Sequence, residues 1–292
     1  MVPEWSGRNQ PDQIHLLLPG VCSSMSETVR QQVRNKCADL DIPLVGFAPA
    51  SRWDEPLFEP WVPESFRPRA IFPETNTVIV IGLPVSLPIL DTAPSIWYHE
   101  LYRTVNAQLD EMGYRIASAL TADGWPSVWI PRDGYGSISM LKERPVAFFS
   151  HRHAALLAGL GNFGINNALL TPEFGPRVRF ASILSAAEIE PDPVLLKSLC
   201  IRCRRCVKAC PVHALDGGDY PRGLTDKKTC ATRSEALSER FISPCGICIK
   251  VCPVGEDRKR FGREDMGIYD EENPRFDQYH RAGRHVRSYG GR

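Results

Sequence analysis

Eight of the ten cysteines in this chain of 292 residues fall between positions 200 and 252. Four of them read Cys200-x2-Cys203-x2-Cys206-x3-Cys210, followed by Pro211. Thiolates at that spacing hold iron–sulfur cubanes, three on one cluster and the fourth reaching across to a second. A partner run is present as Cys230, then Cys245-x2-Cys248-x3-Cys252 and Pro253, its first gap widened to fourteen residues. Crosswise ligation predicts one 4Fe-4S cluster on Cys200, Cys203, Cys206 and Cys252. The other would sit on Cys230, Cys245, Cys248 and Cys210. Such a segment is stapled by its metal rather than by a large apolar core.

Other readings of the cysteines fit less well. A structural zinc site pairs two separated knuckles and needs only four ligands. A disulfide framework belongs to secreted chains, and the N-terminus lacks a basic stretch followed by a long apolar segment. Cys22 and Cys37 lie far from the runs and read as small buried thiols. No apolar run approaches the ~20 residues of a membrane span, and Leu16-Leu17-Leu18 is stopped by Pro19-Gly20. A formal net charge of +1 favours neither nucleic acid nor a membrane surface. The expected compartment is the reducing cytoplasm.

Upstream of the clusters the pattern alternates helices and strands. Helical spacing of Val29, Val33, Cys37 and Leu40 predicts a helix over 24–40 capped by Ser26. Strands are expected over 42–48 and over 76–83, where NTVIVIGL is the near-continuous apolar run of a buried strand. A long helix is expected over 95–123, a short strand over 128–130 and a helix from His151 to Leu160. Residues 168–171 and 177–184 read as strands paired around Gly175-Pro176. The domain division follows: an α/β (α+β) layered domain over 1–190, a helix-poor double-cluster domain over 191–256, and a polar, basic, solvated tail over 257–292.

The most distinctive segment outside the cysteines runs from His151 through ALLAGLGNFGINNALLTPEFGPRVRF to Phe180. Its glycines close a helix rather than open one, so they are not a dinucleotide fingerprint. They read as a cap and turn that lets backbone approach something flat. This segment, with the linker and both cysteine runs, resembles the epoxyqueuosine reductase and reductive dehalogenase superfamily. The resemblance covers roughly residues 30–256. It implies a cobalamin on a nitroreductase-like α/β domain, fed by two cubanes in a ferredoxin-like domain. It also implies that Gly161, Asn162, Phe163, Gly164, Asn166 and Asn167 border the corrinoid, and that Arg177 and Arg179 are candidates to hold its side chains. A low-potential ferredoxin or flavodoxin would be the electron donor.

The chain departs from that pattern in three ways. Where epoxyqueuosine reductases place an acidic V-D-S-A-P segment, this sequence reads Lys142-Glu-Arg-Pro-Val-Ala-Phe-Phe-Ser150. The C-terminal helical repeats that help them hold transfer RNA are not seen, nor is the export signal of reductive dehalogenases. Candidate proton donors are therefore sought elsewhere. Asp133 and Tyr135 sit in a loop after a predicted strand, and His151 and His153 flank Arg152, with imidazoles able to donate near neutral pH. The leading expectation is a cobalamin-dependent iron–sulfur reductase of a small molecule, acting by reductive elimination or deoxygenation. The alternatives are an electron carrier without corrinoid and an epoxyqueuosine reductase acting on transfer RNA. Arg202, Arg204, Arg205 and Lys208 form a basic patch that reads first as solvated, second as a dock for an acidic electron donor and last as a contact for nucleic-acid phosphate. No aromatic-interleaved basic stretch supports RNA reading.

Overall fold

The computed structural model describes residues 19–54, 62–134 and 136–290, with side chains from residue 28 onward. Helix α1 spans Pro19–Asp39, strand β1 Leu44–Pro49, helix α2 Pro68–Ile71, strand β2 Thr77–Pro84 and helix α3 Leu87–Leu90. They are followed by α4 (Ile96–Ala122), β3 (Ser127–Ile130), α5 (Ile138–Glu143) and α6 (His151–Leu157). Two-residue strands β4 (Asn162–Phe163) and β5 (Leu169–Leu170) precede β6 (Val178–Ser185).

The main sheet has the order β1-β2-β6-β3, and every neighbouring pair is antiparallel. The architecture is therefore α+β. Along β2, Ile79, Ile81 and Leu83 join a core with Val33, Leu109 and Ile116 from α1 and α4. Val78 and Val80 point the other way and pack with Ala154, Ala155 and Leu157 of α6. Both faces are covered, which is why the strand is apolar at nearly every position rather than alternating. Ser95 caps α4 by accepting from the Tyr98 amide at 3.1 Å, and Gly124 leaves that helix with φ +90°. No described helix is long and apolar enough to cross a membrane.

Four expectations change. Helix α1 begins at Pro19, so Ser26 lies inside it rather than at its cap. The segments 168–171 and 177–184 do not form one hairpin. β5 pairs with β4, while β6, buried along almost its whole length, takes a central place between β2 and β3. Only a Thr171–Gly175 bridge ties the two segments. The cluster domain is also less helix-poor than expected, with α7 (Arg205–Ala209), α8 (Lys227–Ser238) and α9 (Ile247–Lys250). The widened gap in the second cysteine run is mostly helix α8, which Asp226 caps through the Thr229 amide at 3.0 Å.

The C-terminal segment is not a solvated tail. It folds into α10 (Asp257–Arg260), two 3-10 turns and α11 (Asp277–Arg287), and buries Asp257, Arg258, Ile268 and His280. Its charges are drawn inside by partners far away in sequence. Asp257 receives both arms of Arg177, at 2.6 Å each. The linker is pinned as well: Asp192 accepts from the Phe47 amide at 3.0 Å and pairs with Arg30 at 2.5 Å.

Candidate functional site

Cys200, Cys203, Cys206 and Cys252 line one small cavity of about 20 Å3 together with Ile165, Asn166 and Leu170. Cys252 comes from the second run, so its place among the first three is the crosswise arrangement read from spacing. Arg202 and Arg204 take left-handed backbone, φ 52° and 59°, which coils the chain tightly between successive thiols. For residues with a Cβ that conformation costs about 1–2 kcal/mol each, a strain that metal ligation would offset. The second quartet lies close by. The neighbouring thiols that act on Cys230 are Cys245 and Cys210, and those that act on Cys248 are Cys230, Cys245, Cys206 and Cys210.

Burial pushes the Cys248 thiol up to about 12 and Cys252 up to about 11. Without metal neither ionises near neutral pH, so iron must displace their protons. The donor chemistry, four thiols lining one cavity and four more close by, is that of cubane ligands. Cys37, 1% exposed and pushed up to about 12 by burial, is the inert core thiol expected. The Cys22 side chain lies outside the described residues.

The second quartet abuts the start of α4. A Cβ on Gly246 would meet Tyr98 Cε1 at 2.6 Å, and Ser243 O lies 2.6 Å from His99 Nδ1. The Lys250 ammonium, buried beside Cys245, donates to Ala93 O at 3.2 Å. Beyond Tyr98 stands Arg179 on β6. Its guanidinium carbon lies 4.6 Å over the Tyr102 ring, its Nε donates to Asn106 Oδ1 at 3.0 Å, and Asp133 approaches at 3.5 Å. Arg152 of α6 keeps an exposed side chain although protein is packed densely around it, and it donates to the Asn167 carbonyl. Burial pulls its pKa down, and Tyr220, Cys248 and Cys230 are near enough to oppose that shift. Among the described residues no carboxylate pairs with it.

The histidines do not behave as neutral-pH acids. His151 Nε2 meets Pro131 O at 3.1 Å, so that nitrogen carries the hydrogen and Nδ1 accepts from Ser182 Oγ at 2.9 Å. Burial lowers its pKa to about 4. His153 lies between Ser150 Oγ (2.6 Å) and the Tyr220 hydroxyl (2.5 Å), and burial with the Arg152 and Lys227 charges lowers it to about 3. Both are neutral at pH 7. Their folded pKa values lie below the unfolded value near 6.5, so the stability they contribute is present above ~6.5 and is lost as pH falls through 4 and 3. Acid unfolding of the double variant His151→Asn/His153→Asn should accordingly lose part of the wild-type steepness between pH 6.5 and 3, measured by circular dichroism. Identical acid limbs would show that neither group is buried neutral.

Asp133 lies at the site, held by Arg179 and Arg132. Tyr135 falls outside the described residues. The glycine-and-asparagine loop, which resemblance places at the corrinoid border, has a structural part of its own. A Cβ on Gly161 would stand 1.9 Å from Leu170 O, so glycine is needed there for the β4–β5 pairing. On Gly164 it would meet Leu170 Cδ1 at 2.5 Å. Asn162 donates to Lys197 O (2.7 Å) and accepts from the Leu199 amide (3.0 Å), steering the chain into Cys200. Asn166 lies 3.5 Å from Cys248 O, and Asn167 bonds Gly223 O (3.0 Å) and the Thr225 amide (2.6 Å). Phe163 stacks on Tyr220 at 4.1 Å. The loop seats the cluster domain. Arg177, a candidate by resemblance to hold a corrinoid side chain, is fully buried and committed to Asp257. Tyr220, Lys227 and Arg258 carried no local signal, since only the fold gives them their neighbours.

Residues 199–256 match the 4Fe-4S dicluster domain family. Over 194 residues the chain is 26% identical to a tetrachloroethene reductive dehalogenase of Desulfitobacterium hafniense, covering 61% of this chain and 32% of that one. It is 25% identical over 205 residues to an epoxyqueuosine reductase of Synechococcus sp. (strain CC9605), covering 64% and 58%. This chain is a relative of the reductive dehalogenases and epoxyqueuosine reductases. Its fold agrees: a solved reductive dehalogenase, described in terms of B12-dependent dehalogenation, aligns with TM-score 0.59 at 19% identity over 84% of this chain and 35% of its own. The chain thus spans about a third of the length of the reductive dehalogenases it matches.

Proposed function

We propose that this protein is an oxidoreductase that passes electrons singly through two 4Fe-4S clusters to a corrinoid on the α+β domain, for reductive elimination or deoxygenation of a small molecule. The observation that carries the reading is the junction of the Cys210/Cys230/Cys245/Cys248 quartet with α4, Arg179 and Arg152. Electrons leaving that cluster enter the larger domain there. A bound corrinoid supplies a strongly reducing cobalt centre. The glycine-and-asparagine loop that resemblance places at the corrinoid also seats the clusters, and the further candidates to hold the group are the cations beside that loop. Arg152 has no carboxylate partner among the described residues, Lys227 adds a second cation nearby, and the Phe163–Tyr220 stack presents an aromatic edge. Guanidinium and ammonium donors suit amide and phosphate acceptors on a corrinoid's periphery.

Proton delivery is assigned to the Tyr102 hydroxyl beside Arg179, with Asp133 holding that guanidinium, rather than to the neutral His151 and His153. A low-potential ferredoxin or flavodoxin would load the clusters, in a reducing cytoplasm. A second reading, epoxyqueuosine reduction in transfer RNA, has one observation in its favour. The epoxyqueuosine reductase relative is matched over 58% of its length, the reductive dehalogenase over 32%.

Oxygen-free purification and reconstitution test both. About eight irons per chain and a base-off Co(II) resonance after cobalamin is added are expected. Loaded clusters with no cobalt signal and no protection of Arg152 from guanidinium-directed labelling would leave an electron carrier without corrinoid. Turnover of an epoxyqueuosine-bearing anticodon stem loop, with none of organohalides, would move the assignment to the second reading.

A further inference from the structure

Arg258 is 2% exposed, and its guanidinium is committed entirely to neutral acceptors. Nε donates to Cys252 O at 2.7 Å and Nη2 to Lys250 O at 2.5 Å, while Nη1 reaches Arg263 O at 3.2 Å and the Tyr269 oxygen at 3.0 Å. Among the described residues no carboxylate pairs with it. The contrast with Arg177 is direct. Arg177 is as deeply buried and also donates to Cys252 O, at 3.0 Å, but Asp257 neutralises it. Asp91, the anion nearest Arg258 through Tyr269, is itself taken by Arg263 at 2.9 Å. Lys250, two residues before Cys252, is a second buried cation, but its ammonium is turned to Ala93 O. Arg258 is the guanidinium bonded at Cys252 that no carboxylate balances among the described residues.

A buried cation without a counter-charge is strongly unfavourable. The cluster bound through Cys252 is the missing anion. A 2+ cubane core on four thiolates carries a net charge of −2. Uptake of one electron takes it to −3, with no bond broken and no proton moved. A fixed positive charge stabilises the reduced state more than the oxidised one, and local charge and hydrogen bonding set cluster potentials. We propose that Arg258 is the counter-charge of the cluster on Cys200, Cys203, Cys206 and Cys252, and that it raises that cluster's reduction potential. Through this residue the C-terminal segment adjusts the poise of the electron relay as well as covering it.

The inference rests on the cubane reading, so the wild type is measured first: iron content and two one-electron waves in a resonance-monitored redox titration establish the clusters. Arg258→Gln keeps donors but not charge, and Arg258→Lys keeps charge but not the donor fork. In the Gln variant one wave should fall by at least a tenfold change in its reduction equilibrium, ~59 mV for one electron, while the other moves less. The Lys variant should stay within that margin. An unchanged Gln variant, or equal shifts in both variants, overturns the proposal. If the Gln variant assembles no such cluster, a Lys variant that holds it at the wild-type potential supports the proposal, and one that also loses it overturns it.

Discussion

Replacing Cys252 with alanine should abolish the cluster whose other three ligands lie about fifty residues earlier, and leave intact the cluster of its sequence neighbours Cys245 and Cys248. Iron content should fall to roughly half, since each cubane needs its four thiolates. The geometric basis is the shared cavity: Cys252 lines it with Cys200, Cys203 and Cys206, while Cys230 is placed with Cys245 and Cys210. The decisive comparison is spectroscopic. The signal surviving in Cys252→Ala should superimpose on that surviving in Cys203→Ala and differ from that in Cys245→Ala. A match with Cys245→Ala would mean that each run holds its own cluster, and the crossed arrangement would be wrong. Because Cys206, a ligand of the same cluster, also sits in an apolar cluster with Ile165, Leu215 and Val251, losing the metal should cost local order there as well.

Arg177→Met should destabilise the protein by about 3–5 kcal/mol, the range for removing one partner of a buried ion pair. Methionine is long enough to fill much of the space, so the loss comes from charge and hydrogen bonds. Asp257, 5% exposed, would keep its carboxylate with no cation against it, and Cys252 O, Val254 O and Ile249 O would each lose a donor. Nothing bulky can rearrange to help. A Cβ on Gly175 would lie 2.0 Å from Val254 O, and on Gly255 2.6 Å from Arg177 Nη2. The double variant Arg177→Met/Asp257→Leu should recover a large part of the loss, because no isolated charge remains. Thermal unfolding of the reconstituted protein measures both. A double variant less stable than the single would show that the pair is not the source of the effect.

The two features most legible in the sequence are those fixed by short-range rules. The β2 segment is apolar at successive positions because helices cover both its faces, and the cysteine spacing survives a widened gap because Cys230 can be offered from the first turn of a helix. What could not be read depends on distant partners. The run from Asp257 to Arg263 looks solvated because charge normally is, yet Arg177, eighty residues away, brings Asp257 inside. The histidines of the His151-Arg-His153 stretch looked like neutral-pH acids because local sequence carries no measure of burial. Gly161 and Gly164 announced a close approach correctly, but not whether the neighbour would be a ligand or their own chain at Leu170.

The bare backbone at Gly246, against which the Tyr98 ring is pressed, has a kinetic consequence. Tunnelling rates fall exponentially with separation, so even one methyl group at this position would act as a wedge between donor and acceptor. Because Gly246 also holds φ +70° beside Cys245, the same methyl would strain the turn that presents this thiol. Under the proposed relay, one small residue thus governs both the transfer distance and the seating of the second cluster.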